Sequence, residues 1–217
     1  TIGVIGHTGS GKSTLVNLIP RLFDIHEGSL CVDGRNVKVL PLNSLRTSIG
    51  YVPQETFLFS DSIENNIAYA EYNFDKDKVV HAAKISRIYK DVDSFPNRFD
   101  TLLGERGINL SGGQKQRTSI ARAIVSDPRI LILDDAFSAV DTYTEEAILS
   151  GLKDFMEGRT TILISHRVST LKNSDRIVVL KDGMIAETGT HENLIQQEGI
   201  YADIYFKQLL EEELKEL

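Results

Sequence analysis

Several things are missing from this sequence, and each absence closes a class of function. Cys31 is the one cysteine, so no disulfide can form within the chain. No apolar run approaches the ~18 residues that span a bilayer, so the chain does not itself cross a membrane as a helix. No signal-peptide pattern opens it. Together these absences suit a reducing, cytosolic compartment. Positive charge is in deficit: the net charge is −7, which argues against nucleic acid as the main partner. An initiator methionine is missing too. Thr1-Ile-Gly-Val-Ile5 has the pattern of a strand interior without a lead-in, and reads as the continuation of a segment upstream.

What is present is ordinary in bulk. The 217 residues are 41% hydrophobic and 25% charged, the composition of a globular chain with a good core in one or two domains. The detail is more specific. In Arg129-Ile-Leu-Ile-Leu-Asp-Asp135, Ile130 to Leu133 form a continuous apolar run that meets two adjacent carboxylates. Such a run predicts a strand buried on both faces, as in a parallel sheet. Acids at the carboxyl end of such a strand stand where open α/β sheets bind ligands. The alternative, from this stretch alone, is a strand that stops at a solvated acid pair.

The Thr1–Ile5 strand leads into Gly6-His-Thr-Gly-Ser-Gly-Lys-Ser13, which fits G-x-x-x-x-G-K-[ST]. Strand, glycines and helix follow in the order a phosphate-binding loop requires. The glycines let backbone N–H groups converge on one anion, and the helix beginning near Lys12 adds its positive end. Lys12 would neutralise the outer phosphates, Ser13 would ligate Mg²⁺, and Thr14 would stand beside the phosphate nearest the ribose. His7 lies at a variable loop position and reads as merely exposed. Leu15, Leu18, Ile19 and Leu22 predict one buried helix face, interrupted late by Pro20.

Further strands are expected at Gly28–Gly34, Ile49–Val52 and Thr160–Ile164, and a hairpin at 177–186 around Lys181-Asp-Gly183. Gln54 follows the second of these strands, and its place suggests a ligand or sensor as well as a surface residue. Residues 61 to about 100 look helical, with helices over 62–69 and 76–86. Leu110-Ser-Gly-Gly-Gln114 then opens a further helix, with Ser111 as N-cap. This is a second anion-binding helix terminus. A plain capped helix explains Ser111 but leaves Gly112 and Gly113 without a reason. Ala136 to Asp141 form a turn into a helix starting near Thr142. Thr160–Ile164 ends in Ser165-His166, so His166 shares the sheet edge with Asp134 and Asp135. Helices follow from about His191, and Glu211-Glu-Glu213 reads as a solvated helix end.

The ordered set of phosphate loop, Gln54, Leu110–Gln114, Ile130–Asp134 and His166 resembles the nucleotide-binding domain of ATP-binding cassette (ABC) proteins, over essentially the whole chain. The pentapeptide Leu110–Gln114 is the specific part. Gly104-Glu-Arg-Gly107, Phe59-Ser60, Ser62–Ile67 and Gly189-Thr-His-Glu192 resemble the exporter branch, that of bacterial multidrug or lipid exporters.

The resemblance implies an α/β fold: a phosphate-loop NTPase (RecA-like) core with a mostly parallel sheet flanked by helices, and an inserted helical subdomain. The core would take 1–55 and 126–217, the helical subdomain 56–125, and the N-terminal β part would lie upstream of residue 1. It implies ATP and Mg²⁺ between two domains packed head to tail. One domain would supply Gly6, His7, Thr8, Gly9, Ser10, Gly11, Lys12, Ser13 and Thr14 for ATP, and Ser13, Gln54 and Asp134 for the metal. Asp135, His166, Gln54 and Lys12 would serve catalysis. The other domain would supply Ser111, Gly112, Gly113 and Gln114, and Asp141 would communicate across the interface. Transmembrane domains would precede this domain in the same polypeptide, placing it on the cytoplasmic face of the membrane.

Two departures from the family pattern carry expectations. The aromatic residue that stacks on adenine normally lies upstream of the first strand, so the fragment alone should bind ATP more weakly than micromolar. At position 135 the family usually has Glu, which polarises the attacking water. Asp135 withdraws the carboxylate by roughly 1.5 Å, and a misplacement of about 1 Å can cost ~10²-fold in rate. Either water or a backbone shift compensates, or this is the weakened site of an asymmetric heterodimer whose partner chain keeps the Glu. Other ABC classes remain as alternatives. DNA-repair cassettes insert a long coiled coil between phosphate loop and signature, whereas the interval here is short and without heptads. Ribosome-associated factors carry two cassettes. An importer subunit or a regulatory nucleotide binder without turnover completes the alternatives.

Overall fold

The computed structural model describes residues 1–69 and 73–216. Its centre is a six-stranded sheet. In chain order the strands are β1 (Ile2–Gly6), β4 (Ile49–Val52), β5 (Ile130–Asp134), β6 (Thr160–Ile164), β7 (Arg176–Lys181) and β8 (Met184–Gly189), while β2 (Cys31–Val32) and β3 (Arg35–Asn36) make a small antiparallel ribbon apart from it. The spatial order is β4-β5-β6-β1-β7-β8, parallel throughout except for the antiparallel β7–β8 pair.

The helices are α1 (Lys12–Asn17), α2 (Leu42–Thr47), α3 (Ile63–Ile67), α4 (Lys76–Ile85), α5 (Tyr89–Ser94), α6 (Gly112–Val125), α7 (Thr142–Met156), α8 (Val168–Leu171), α9 (His191–Gln196) and α10 (Ile200–Glu216). Half of these starts are legible in the side chains. Ser62, Asp75, Asp141 and Thr190 each accept a hydrogen bond from an N–H in the first turn, and Ser111 with Gln114 closes a reciprocal capping box. Between β4 and β5 the described residues carry α3, α4, α5 and α6 and contribute nothing to the central sheet.

The sheet is buried on both faces, and β5 shows how. Leu131 and Leu133 point into the larger core cluster, with Ile120, Ile124, Ile148 and Leu152 of α6 and α7. Ile130 and Ile132 point the other way, against Val4, Val16 and Ile164. The period of two sends alternate side chains to opposite faces. An unbroken apolar run is therefore what a doubly covered strand needs. Leu131, Ile132 and Leu133 are fully buried, which stabilises the fold by about 1.5–3 kcal/mol per side chain.

Three expectations need correction. The first helix ends at Asn17, well before Pro20, and Leu15 and Leu22 are exposed while Val16 is the buried residue. A helix of fewer than two turns has no room for an i, i+3, i+7 stripe, so the apolar spacing there reflects turns and not a face. The stretch 28–34 yields only the two-residue β2. The helix expected over 62–69 is α3, ending at Ile67. The hairpin forms as expected. Asp182 and Gly183 both take positive φ, 51° and 77°, the backbone of a tight two-residue turn.

Candidate active site

Four parallel neighbours deliver their carboxyl ends to one edge: β4 to Gln54, β5 to Asp134 and Asp135, β6 to His166, and β1 to the loop that opens α1. There they line a cleft of about 190 Å³ with Thr8, Gly9, Gly11, Lys12, Ser13 and Thr14. Roomier clefts of about 830 and 680 Å³ lie along α7 and between α4 and α7. Neither has a glycine loop or the acid pair at its wall.

The loop is built for an anion. Gly11, immediately before α1, sits at φ 95° and ψ 11°, a left-handed backbone open to glycine at no steric cost. Ser10 is buried and its hydroxyl has no protein partner. A buried polar atom without a partner is costly and points to a ligand. Lys12 is 7% exposed. Its ammonium donates to the carbonyls of Gly6 at 2.9 Å and His7 at 3.0 Å. Burial lowers the Lys12 pKa, while Asp134 and then Asp135 oppose that shift by favouring the cation.

Asp134 is 2% exposed, and burial raises its pKa above the usual carboxylate range. Asp135 pushes the same way, while Ser13, the charge of Lys12 and the nearby Tyr51 hydroxyl oppose it. Tyr51 was not foreseen. It registers with Ile132, so it shares a sheet face with Asp134 two residues on. Its hydroxyl is 2.7 Å from Asn17 Oδ1. Burial, with Asp134 beside it, pushes its pKa up to about 12. The parity was present in the sequence, but its meaning needed the strand neighbour.

Asp135 is half-buried, with a left-handed backbone at φ 49°. Asp tolerates that region better than longer side chains do. Its N–H donates to the Ile164 carbonyl at 3.0 Å, tying the acid pair to the strand that carries His166. Behind His166 lies a buried network that sequence reasoning missed. Glu145, 2% exposed on α7, accepts from Arg167 and from Thr170, and Arg167 also reaches the Val140 carbonyl at 3.3 Å.

The metal the fold family implies suits these residues. Ser13, Asp134 and Gln54 offer hard oxygen donors, the set Mg²⁺ prefers. Among the described residues no group of three or more His, Cys, Asp or Glu stands close enough to hold a metal alone. An ion held by one carboxylate, neutral side-chain oxygens and phosphate needs no such group.

The residues Ser111 to Gln114 do not line this cleft. They start α6 elsewhere on the chain, with Gln114 held between Ser111 and Asp91. The glycine pair has a packing reason within the chain. A Cβ on Gly113 would stand 2.9 Å from the Ala139 carbonyl oxygen, and one on Gly112 would stand 3.1 Å from Ala139 Cβ. Gln116 of α6 fixes that approach, donating to Ser138 Oγ at 2.7 Å and accepting from the Ala139 N–H at 2.8 Å. Asp141 is exposed, and its carboxylate caps α7 through the Thr144 N–H at 2.9 Å. That bond holds its pKa below the usual carboxylate value.

Fold and cleft together define a phosphate-loop nucleoside triphosphatase. The comparisons narrow the class. The family described as ABC transporter matches residues 1–138. The chain is 48% identical over 204 residues to an ATP-dependent lipid A-core flippase of Desulfotalea psychrophila, covering 94% of this chain and 36% of that protein. It is 42% identical over 209 residues to the mitochondrial iron-sulfur clusters transporter ATM1 of Gibberella zeae, covering 95% and 30%. It superposes with a TM-score of 0.94, at 43% identity, on the structure of a bacterial Atm1-family ABC exporter with ATP bound, over 96% of this chain and 37% of that one. The chain belongs to the ABC transporter family, as a nucleotide-binding domain of the exporter kind. It spans about a third of the length of these relatives. Among the described residues no helix is long and apolar enough to cross a membrane.

Proposed function

We propose that this domain binds ATP in the 190 Å³ cleft and drives export of a substrate through membrane domains of the same polypeptide, from the cytoplasmic face. The observation that carries this reading is the convergence of Lys12, Ser13, Gln54, Asp134, Asp135 and His166 on one cleft, in a chain of this family. Lys12 and the N–H groups of Gly9 to Thr14 stabilise charge on the phosphates. Ser13, Asp134 and Gln54 would hold Mg²⁺, which would supply charge neutralisation at the transferring phosphoryl group. Gln54 orients the attacking water, and His166 contacts the outer phosphate. Asp135 orients that water poorly because it is one methylene shorter than the family's Glu, so this chain's own site turns over slowly beside a partner that keeps the Glu. Catalysis of this kind is mostly positioning and electrostatics.

The site is open on its solvent side, and a second domain closes it head to tail through Ser111, Gly112 and Gly113. The Ser111–Gln114 terminus brings N–H donors but no cation of its own, which is half of a phosphate site. Because Gln114 is engaged inside its own chain, its part is to brace that terminus. Asp141, which caps α7 beyond the acid strand, relays closure. We also infer that the domain divides into a core of 1–55 and 126–217 and a helical subdomain of 56–125. On the latter, Phe57, Tyr69, Leu102 and Ile108 are exposed. Phe59 stacks on Tyr69 at 4.2 Å, beneath the Arg122 guanidinium. Phe57, Phe59 and Tyr69 pack on one another there, and such an exposed aromatic group suits a docking surface for the membrane domain.

Lys12→Ala in the assembled transporter tests the nucleotide site. Labelling of this chain by a photoreactive ATP analogue is expected to vanish. Undiminished labelling would overturn the reading.

A further inference from the structure

The turn that carries His166 is gripped from α10. Gln208 Nε2 donates to the His166 carbonyl oxygen at 2.6 Å, and Gln208 Oε1 accepts from the Val168 N–H at 2.9 Å. One amide head thus closes on the backbone on both sides of Arg167. Glutamine suits this place because it offers a donor and an acceptor on one planar group. Other bonds hold the turn besides the Arg167 side chain's contacts with Glu145 and Val140. The Arg167 N–H donates to Ser165 Oγ at 2.9 Å, and Ser165 Oγ reaches Thr170 Oγ1 at 3.1 Å, where Glu145 is bound.

The grip is placed by the start of α10. Glu187 of β8 accepts from the Ile200 N–H at 2.5 Å and the Tyr201 N–H at 3.1 Å, which fixes the first turn. Tyr201 is fully buried, its hydroxyl 2.8 Å from His191 Nδ1. Gln208 follows Tyr201 by seven residues, about two helical turns, so the two share a face. The anchored face of α10 therefore delivers Gln208 at a set depth, and the His166 turn takes its depth from Gln208.

We infer that Gln208 is a positioning residue: through the His166 and Val168 backbone it sets where the His166 ring stands in the cleft. This rests on the reading of His166 as a phosphate contact. A misplacement of about 1 Å in such a site can cost ~10²-fold, and partial release of the turn is expected to cost about tenfold.

The test is single-turnover phosphate release from the assembled transporter carrying Asp135→Glu, so that this chain's own site cycles. Gln208→Ala is expected to lower the rate about tenfold at saturating ATP, with half-saturation within about twofold of the parent. Gln208→Glu keeps the acceptor for Val168 but sets a carboxylate oxygen against the His166 carbonyl, and should lower it at least as much. Added to His166→Ala, Gln208→Ala should cost nothing more, because the two act through one group. If Gln208→Ala lowers the melting temperature but leaves the rate unchanged, or adds its full cost to His166→Ala, the inference fails while the reading of His166 stands. If His166→Ala itself keeps the full rate, the phosphate contact is wrong and the inference falls with it.

Discussion

The side-chain amide of Gln114 donates to the Asp91 carboxylate across 2.9 Å. This bond joins the start of α6 to α5. Arg117, one turn on, completes the brace with an ion pair to Asp91 at 2.7 Å and a hydrogen bond to the Arg87 carbonyl at 2.7 Å. The terminus proposed to close on a partner's nucleotide is thus stiffened by one carboxylate.

Asp91 should therefore matter to stability in a pH-dependent way. Burial would raise its pKa, but the hydrogen bonds from Gln114 and Arg117 and the Arg117 charge hold it below the usual value of 3.8. A depressed carboxylate contributes stability above its unfolded pKa and loses it as pH falls through the folded one. Thermal melts should show Asp91→Ala destabilised by about 1–3 kcal/mol at neutral pH. The gap to wild type should close as pH drops below about 4. A gap that stays constant down to pH 2 would contradict the charge-based account.

Gly113→Ala should be destabilising although alanine is the better helix former. Its Cβ would stand 2.9 Å from the Ala139 carbonyl oxygen, a backbone atom that cannot swing away. Overpacking of this kind costs about 1–3 kcal/mol, more than the ~1 kcal/mol of helix propensity gained. Urea unfolding of the isolated domain would measure it. A stabilised variant would mean that the approach of α6 to Ala139 is looser than described.

Leu133→Ala should cost about 2–5 kcal/mol. Leu133 is fully buried against the α6–α7 layer, one residue before Asp134, the proposed metal ligand. A loss below 1 kcal/mol in the same unfolding measurement would show that this layer is not packed as described.

The strand at 130–134 was legible because burial on both faces writes itself as an unbroken apolar run. The loop at 6–13 was legible because Gly6, Gly11, Lys12 and Ser13 stand at a fixed local spacing between a strand and a helix. Gln54, Asp134, Asp135 and His166 were legible because each stands at or just past the carboxyl end of a strand. Leu15 and Leu22 misled because periodicity assumes a helix long enough to have a face. Tyr51 and Gln208 were out of reach for a different reason. Tyr51 acts through a strand neighbour about 80 positions away in sequence, Gln208 through a turn about 40 positions away, and neither belongs to a local pattern. The backbone of Asp135 was also hidden, since residue type alone does not report a left-handed φ.

That backbone bears on the most direct measurement, the ATP turnover of the assembled transporter with Asp135→Glu against wild type. Asp135 holds φ 49°, and Glu there should cost no more than about 1 kcal/mol of stability. The added methylene returns the carboxylate toward the water it must orient. The account predicts a rise of about ten- to a hundredfold at this chain's own site. Unchanged turnover, or fast hydrolysis by the wild-type chain as a homodimer, would contradict it.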